Sequence, residues 1–419
     1  MILRIPSLLA TCVLFACLRV AAQEANYGFS IPVTVSGDLR YSNGAAVPEA
    51  GDLKPGFRAL ASPVLKLGPH WFLYSTLEAH SSSYFSYQIG ADDQRPVQFN
   101  LMQAFIGYKA NLPGAALLIK AGRLSSSFGL FPLDYNDADE PLIDPPLVYS
   151  ANLPLRPDQI SCGAIEILGE SYGSGVEDQC GGATTERYGL VPVTLYGLPA
   201  MEVQVSSHRF DARVQISNSS PSNPQSLESN SQFGQFTIGG GYTFAEGLHV
   251  GVSRFQGPYL ERIVAPLLPA GTTLQDFPAS GTGVDAEWSR GPWSAVGEWQ
   301  HFRFASPGFR VPPSETAGYV QVKRILSPRL FLATRFNILR SGPIEDDSGV
   351  SGSQGGAPRE MYEVGAGYRL NRRQLLKVGG SWTDRNFWQA AGLLWARAEG
   401  YGLELQLVTS FTPISKAFR

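Results

Sequence analysis

The feature that most constrains this chain is a two-residue alternation of apolar and polar side chains. From Ile31 to Tyr41, Ile31, Val33, Val35, Leu39 and Tyr41 alternate with Thr34, Ser36, Asp38 and Arg40. That period places one set on each face of a β-strand. The same rhythm returns at Leu198–Ser207, Arg209–Asn218, Phe233–Phe244, Ala317–Leu326 and Leu330–Leu339. From Arg209 the odd positions are Arg209, Asp211, Arg213, Gln215 and Ser217, and the even ones are Phe210, Ala212, Val214 and Ile216. Only 16 % of the 419 residues are charged, against 45 Gly and 30 Pro. The chain is therefore rich in turns and poor in charged helices, which points to an all-β fold.

Alternation alone does not say where the apolar face goes, since a soluble sandwich would hide it in a core. The N-terminus supplies the compartment. Met1–Ala22 has the parts of a secretory signal: Arg4, an apolar run from Leu8 to Val20, and Val20-Ala21-Ala22 before Gln23. Leu14-Phe15-Ala16-Cys17 also resembles a lipoprotein processing box, but the apolar run before it is very short. Beyond the signal no stretch approaches the ~20 continuous apolar residues of a transmembrane helix. An exported chain of this kind spans a membrane as a closed barrel.

The expected architecture is accordingly an all-β, transmembrane antiparallel β-barrel of about sixteen strands, occupying residues 23–419 as one domain. Its connections sort by length. Gly68-Pro69-His70, Ala245-Glu246-Gly247, Arg290-Gly291-Pro292, Ser327-Pro328 and Asn371-Arg372-Arg373 are short, while those between are longer and rich in Ser, Gly, Pro and Asp. Short periplasmic turns and long extracellular loops are the asymmetry of an outer-membrane barrel. Further strands are expected at Phe57–Leu67, Trp71–Phe85, Phe99–Ala110, Ala115–Arg123, Leu248–Phe255, Gly283–Ser289, Trp293–Phe304, Tyr362–Leu370, Gln374–Trp382 and Gly402–Phe411. Aromatics near strand ends, among them Tyr41, Trp71, Phe85, Tyr108, Trp293, Phe304, Tyr368 and Trp382, are expected to form interfacial girdles.

One connection, residues 124–197, is far longer than the rest. It carries Asp134, Asp137, Asp139, Glu140 and Asp144. If it folds into the lumen, these carboxylates face basic wall positions such as Arg123, Arg209, Arg213, Arg335 and Arg369 and set a transverse field across a constriction. On the wall itself alternation places Arg40, Lys109, Lys120, Arg209, Arg213, Lys323, Arg335, Arg369 and Lys377 on the lumen side with Asp38, Glu78, Asp211, Asp285, Glu287, Glu298, Glu363 and Glu404, so the two signs nearly balance there. Cys162 and Cys180 are the only cysteines after the signal, and export makes a disulfide between them the expectation. Closing that loop stabilises by roughly 3 kcal/mol on the chain-entropy model.

Other chemistries find little footing. A net charge of -3 offers no surface for nucleic acid. The five His are scattered, and there is no Gly-x-Ser-x-Gly elbow, HExxH pair or phosphate-binding loop, so neither an enzyme nor a cofactor is expected. His249 with Ser253, or His80 with Ser82, shares a strand face, a pairing common by chance. The acidic run Asp134–Glu140 contains hard oxygen ligands for Ca²⁺ but lacks the EF-hand spacing.

At Gly122-Arg123-Leu124-Ser125-Ser126-Ser127-Phe128-Gly129 the chain resembles the Gly-Arg-x-x-x-x-Phe-Gly pattern of trimeric outer-membrane porins, especially the phosphate-selective porin O and P type. The pairing of Met201–Ser207 with Phe210–Asn218 is similar as well. The resemblance implies passive diffusion of small hydrophilic solutes or ions through a water-filled pore, contact with outer-membrane lipid, and a homotrimer. The chain has no dense lysine ladder, so phosphate selectivity is not implied. It also ends beyond Phe411, at Lys416-Ala417-Phe418-Arg419, where the family typically ends its last strand on an aromatic. The competing expectation is a non-conducting surface barrel that binds a ligand or partner through its extracellular loops.

Overall fold

The computed structural model describes residues 27–44, 53–81 and 97–418, except 152, 154, 162, 165–166, 168–189, 191, 196, 219, 221, 223–233, 245–246, 353–358 and 390–393. The expected signal segment, Phe85, and both Cys162 and Cys180 lie outside the described residues.

The alternating segments form a closed antiparallel barrel of 16 strands. In chain order these are β1 (Tyr27–Asn43), β2 (Leu53–Ala61 continued by Val64–Leu67), β3 (Trp71–Ser81), β4 (Val97–Leu112) and β5 (Ala115–Leu124). After the long connection come β6 (Leu198–Ser207), β7 (Phe210–Ser217), β8 (Gln235–Thr243), β9 (Leu248–Pro258), β10 (Pro278–Arg290) and β11 (Trp293–Phe304). The wall is completed by β12 (Ser314–Ser327), β13 (Leu330–Ser341), β14 (Arg359–Arg369), β15 (Gln374–Gln389) and β16 (Leu394–Phe418). Each strand pairs with its sequence neighbours, and β1 closes the cylinder on β16 from Tyr27 opposite Phe418 to Asn43 opposite Tyr401, with one register shift between Ile31 and Val33. Closure leaves no edge strand with unpaired backbone.

Several strands exceed their sequence signal, chiefly towards the long loops. β10 begins at Pro278 rather than Gly283, β15 runs to Gln389, and the last strand spans Leu394–Phe418 rather than stopping at Phe411. The expected strand Phe57–Leu67 is broken at Ser62-Pro63, where proline has no N–H for the ladder. Ser62 instead bonds the Pro32 carbonyl across the gap at 2.9 Å.

The facing pattern resolves what alternation left open. In β14 and β15 Val364 and Val378 are 61 % and 54 % exposed, whereas their neighbours Glu363 and Lys377 are 5 % and 1 % exposed. Leu403, Leu405 and Leu407 are exposed in β16 while Gln406 is completely buried. The apolar side is outside and the polar side inside, the inverse of a soluble sandwich and the arrangement of a wall solvated by lipid.

Outward aromatics collect at two levels. Near the short turns Trp71 meets Tyr108 with ring centres 4.8 Å apart, and Phe210, Tyr242 and Phe244 stack in sequence. Near the long loops Tyr41 lies 6.4 Å from Tyr401, and Tyr362 sits between Phe336 and Trp382. Phe304 corrects the girdle expectation. It shares the inward face of Glu298, Gln300 and Phe302, is fully buried, and packs on Tyr259 inside the barrel.

Candidate functional site

The connection between β5 and β6 enters the lumen as soon as the wall ends, and the Gly-Arg-x-x-x-x-Phe-Gly segment makes the turn. A Cβ on Gly122 would stand 2.3 Å from the Ala104 carbonyl oxygen, so only glycine lets β5 pass β4 there. Phe128 drops into an aromatic box with edge contacts to Phe255 at 4.9 Å and Phe302 at 5.7 Å. Gly129 has φ +75°, a conformation that costs an L side chain roughly 1–2 kcal/mol, and its missing Cβ leaves room for the Tyr149 hydroxyl.

Inside the barrel the loop has no sheet to pair with, so side chains of the wall satisfy its backbone. Gln215 of β7 donates to the Ser125 carbonyl at 2.8 Å, and Arg213 donates to the carbonyls of Ser127 and Gly129 at 2.8 and 3.0 Å. Ser253 of β9 accepts the Gly129 N–H at 3.1 Å. Asn337 and Arg335 of β13 hold Leu147 N–H and the Asp144 carbonyl, and Lys377 of β15 donates to the carbonyls of Asp137 and Leu142 at 2.7 and 3.3 Å.

The densest contact is at Glu298 of β11. Its carboxylate accepts five neutral donors: the N–H groups of Leu130 and Phe131 at 3.1 Å each, the hydroxyls of Tyr149 and Tyr319 at 2.7 and 2.8 Å, and the Gln300 amide at 2.6 Å. Leu130 and Phe131 open the single helical turn Phe131–Asp134, whose first N–H groups have no partner within the turn. A carboxylate is the natural acceptor there. Burial and the adjacent Glu298 charge raise the Tyr149 hydroxyl well above its ordinary range, so it stays protonated and donates.

The five loop carboxylates have different fates. Asp134 ends the helical turn. Asp137 is buried and accepts from Arg58 of β2 at 3.0 Å and from Ser36 of β1 at 2.8 Å. Asp139 is exposed and accepts from Asn136 at 3.1 Å. Glu140 lies 3.6 Å from Arg335, and Asp144 pairs with Arg40. Of the five basic wall positions expected to oppose them, Arg335 takes that role, and Arg213 holds loop carbonyls rather than carboxylates. Arg123 is corrected, and Arg209 and Arg369 stand at the turn ends of the wall. Arg123 has the strand parity of Ile119 and Ala121, opposite the inward Lys120 and Leu124, and so lies on the outward face. Arg209 is exposed at the β6–β7 turn and donates to the Tyr242 hydroxyl at 3.3 Å, and Arg369 is exposed at the turn end of β14. Both lie at the short-turn mouth of the barrel.

An open field between two facing rows is thus replaced by direct ion pairs. Asp137, Asp139 and Glu140 turn to separate partners, and among the described residues no group of three or more His, Cys, Asp or Glu is arranged to hold a metal. The loop carboxylates join networks that the wall already forms. Arg40 is shared by Asp38 at 4.0 Å, Asp144, and Glu404 at 2.8 Å. Arg58 is shared by Glu78 at 2.7 Å and Asp137, and Arg335 by Glu363 at 2.6 Å and Glu140. Sequence reasoning missed Arg58 altogether, since Pro55-Gly56 interrupts the alternation that would have assigned its face. His249 faces Asp211 at 2.8 Å, while Ser253 serves the loop backbone, so no catalytic arrangement links them.

Beyond Asp144 the loop becomes an apolar plug in the upper lumen. Val148, Tyr149, Leu153, Leu155, Ile167 and Leu190 pack with Phe255, Phe302 and Phe304 of the wall. Other long loops fold onto it: Glu261 N–H reaches the Pro157 carbonyl at 2.6 Å, and Ser222 the Pro192 carbonyl at 2.6 Å. Asp346, in the loop after β13, accepts from Ala164 N–H, Ser348 N–H and hydroxyl, and Val350 N–H. Led by the Ser348 hydroxyl, these donors lower its carboxyl from 3.8 to about 2.

Two outcomes are expected. Glu298→Ala leaves several buried donors without an acceptor, a loss of about 3 kcal/mol. Hydrogen exchange at the Leu130 and Phe131 amides should then quicken by about a hundredfold while the wall strands stay protected. Because the folded carboxyl of Asp346 is depressed, its clasp is fully formed above the ordinary value near 4 and is lost as pH falls through about 2. Exchange at Ala164, corrected for its intrinsic pH dependence, should show that acid step, and Asp346→Asn should abolish it.

No protein-family model and no curated protein sequence matches this chain. Solved structures do. The outer-membrane channel DcaP of Acinetobacter baumannii superposes with a TM-score of 0.53 at 11 % identity, covering 92 % of this chain and 97 % of that one. OmpF of Salmonella typhi, solved with daunomycin, gives 0.52 at 10 % identity over 91 % and 97 %. OmpT of Vibrio cholerae, an outer-membrane protein, gives 0.51 at 11 % identity over 93 % and 100 %. Identities this low establish the fold alone: a closed 16-stranded barrel of the outer-membrane porin type.

Proposed function

We propose that this protein is an outer-membrane porin that lets small hydrophilic solutes or ions diffuse passively, with segment 124–197 as its constriction. The observation that carries the reading is the inverted polarity of the wall: exposed Val364 and Leu403 outside, and charged side chains such as Arg335, Glu363 and Lys377 inside. Charged and polar lining is what a water-filled passage requires. Loop contacts arrive from β1, β2, β7, β9, β11, β13 and β15, so the loop is held across the lumen at that level.

The phosphate-selective type gains no support from the lumen, where Arg40, Arg58 and Arg335 are already taken by carboxylates and Arg213 by loop carbonyls. A homotrimer remains part of the proposal, since a flat apolar wall can bury against its own copy.

Refolded mature chain in planar bilayers should give discrete current steps. Deleting Phe131–Asp144 removes the helical turn and the paired carboxylates, and should enlarge the steps by at least about twofold, as expected when a lumen-lining constriction goes. A correctly folded barrel that never conducts would contradict the proposal.

A further inference from the structure

The lumen charge is one-sided in a way that single ion pairs conceal. Three guanidinium groups, Arg40, Arg58 and Arg335, answer seven carboxylates. Glu298 adds an eighth whose donors are all neutral. Lys377 and Arg213 offset part of this, but each gives its hydrogen bonds to loop carbonyls. Lys120 is matched by Glu202 at 2.6 Å.

Beneath the loop, at the short-turn mouth, lies a cavity of about 370 Å³. Its roof is Asp139–Pro141, and its sides are the turn ends of β9 to β12, including His249, Glu287 and Lys323. Each basic group has a partner of its own, and Lys323 also lies within charge range of Asp139 and Glu140. His249 faces Asp211, and the Lys323 ammonium lies over the Phe331 ring, 4.9 Å from its centre. Asp139 is exposed at the roof and Glu287 is half-buried at the side.

We infer that the passage prefers small cations over anions, and that Asp139 and Glu287 make this cavity the place where they concentrate. The inference rests on the channel reading above. A narrow, low-dielectric passage lined by one sign of charge focuses its field, and clefts of this kind reach several kT. Only about half of kT across the pore is enough for a cation-to-anion permeability ratio near three. Clusters of carboxylate in a pore set this preference directly.

The test is the reversal potential of single channels of the full mature barrel in a tenfold KCl gradient. The expected K⁺ to Cl⁻ permeability ratio is at least about three. It should fall at least about twofold in Asp139→Asn/Glu287→Gln, and less so in molar salt, where the Debye length shrinks to about 3 Å. Asp139 is exposed and bonded within its own turn, so its substitution leaves the barrel intact. A ratio at or below one overturns the inference while leaving the channel standing. A ratio unchanged in the double variant overturns the role of the cavity. The absence of any steps overturns the channel reading and this inference with it.

Discussion

The structure depends on how a long irregular segment survives inside a barrel. Buried backbone N–H and C=O groups must be paired, and the barrel's own ladders are already complete. The partners come from the inward face of the wall: Gln215, Arg213, Ser253, Asn337, Arg335 and Lys377 each hold loop backbone, and Glu298 holds the opening of the one helical turn. Polar side chains that line a lumen thus also fix the object within it.

That arrangement explains the charge pattern. Carboxylates carried in by the loop meet guanidinium groups that already have wall partners, so the networks become shared rather than paired one to one. A buried ion pair contributes little net stability, because desolvation offsets most of the Coulomb attraction. Its value here is positional, since Asp137, Glu140 and Asp144 pin the loop against three different parts of the wall. The apolar half of the loop then converts the upper lumen into a small hydrophobic core around Phe128, Phe255 and Phe302.

Most of the wall was legible in the sequence because a period of two needs no tertiary information. Leu198–Ser207 matches its expected bounds, and the alternation of short and long connections fixes the order of the strands. The misses have physical causes. Strand extensions such as Pro278–Thr282 carry Ser and Gly against a loop-filled lumen, where the apolar-out, polar-in rule no longer holds. Phe304 was assigned to the membrane girdle for the same reason: inward positions turn apolar once the loop packs on them. Local pattern placed Glu298 in the wall, but its five donors come from four separate stretches of chain and no spacing foretells them. Arg123 departs from its expected face because strand parity turns it outward, while Arg209 and Arg369 keep the inward parity at the turn ends of their strands.

The most direct test of the account is whether the loop lies inside the barrel. Gly365 and Leu142 offer the probe, because a Cβ on Gly365 would stand 2.9 Å from Leu142 Cδ2. With the native cysteines replaced by serine, Leu142→Cys/Gly365→Cys in the folded barrel should form a disulfide under mild oxidation and resist bulky thiol reagents. Two thiols that stay reduced and react freely with such reagents would place the loop outside the lumen and contradict the account.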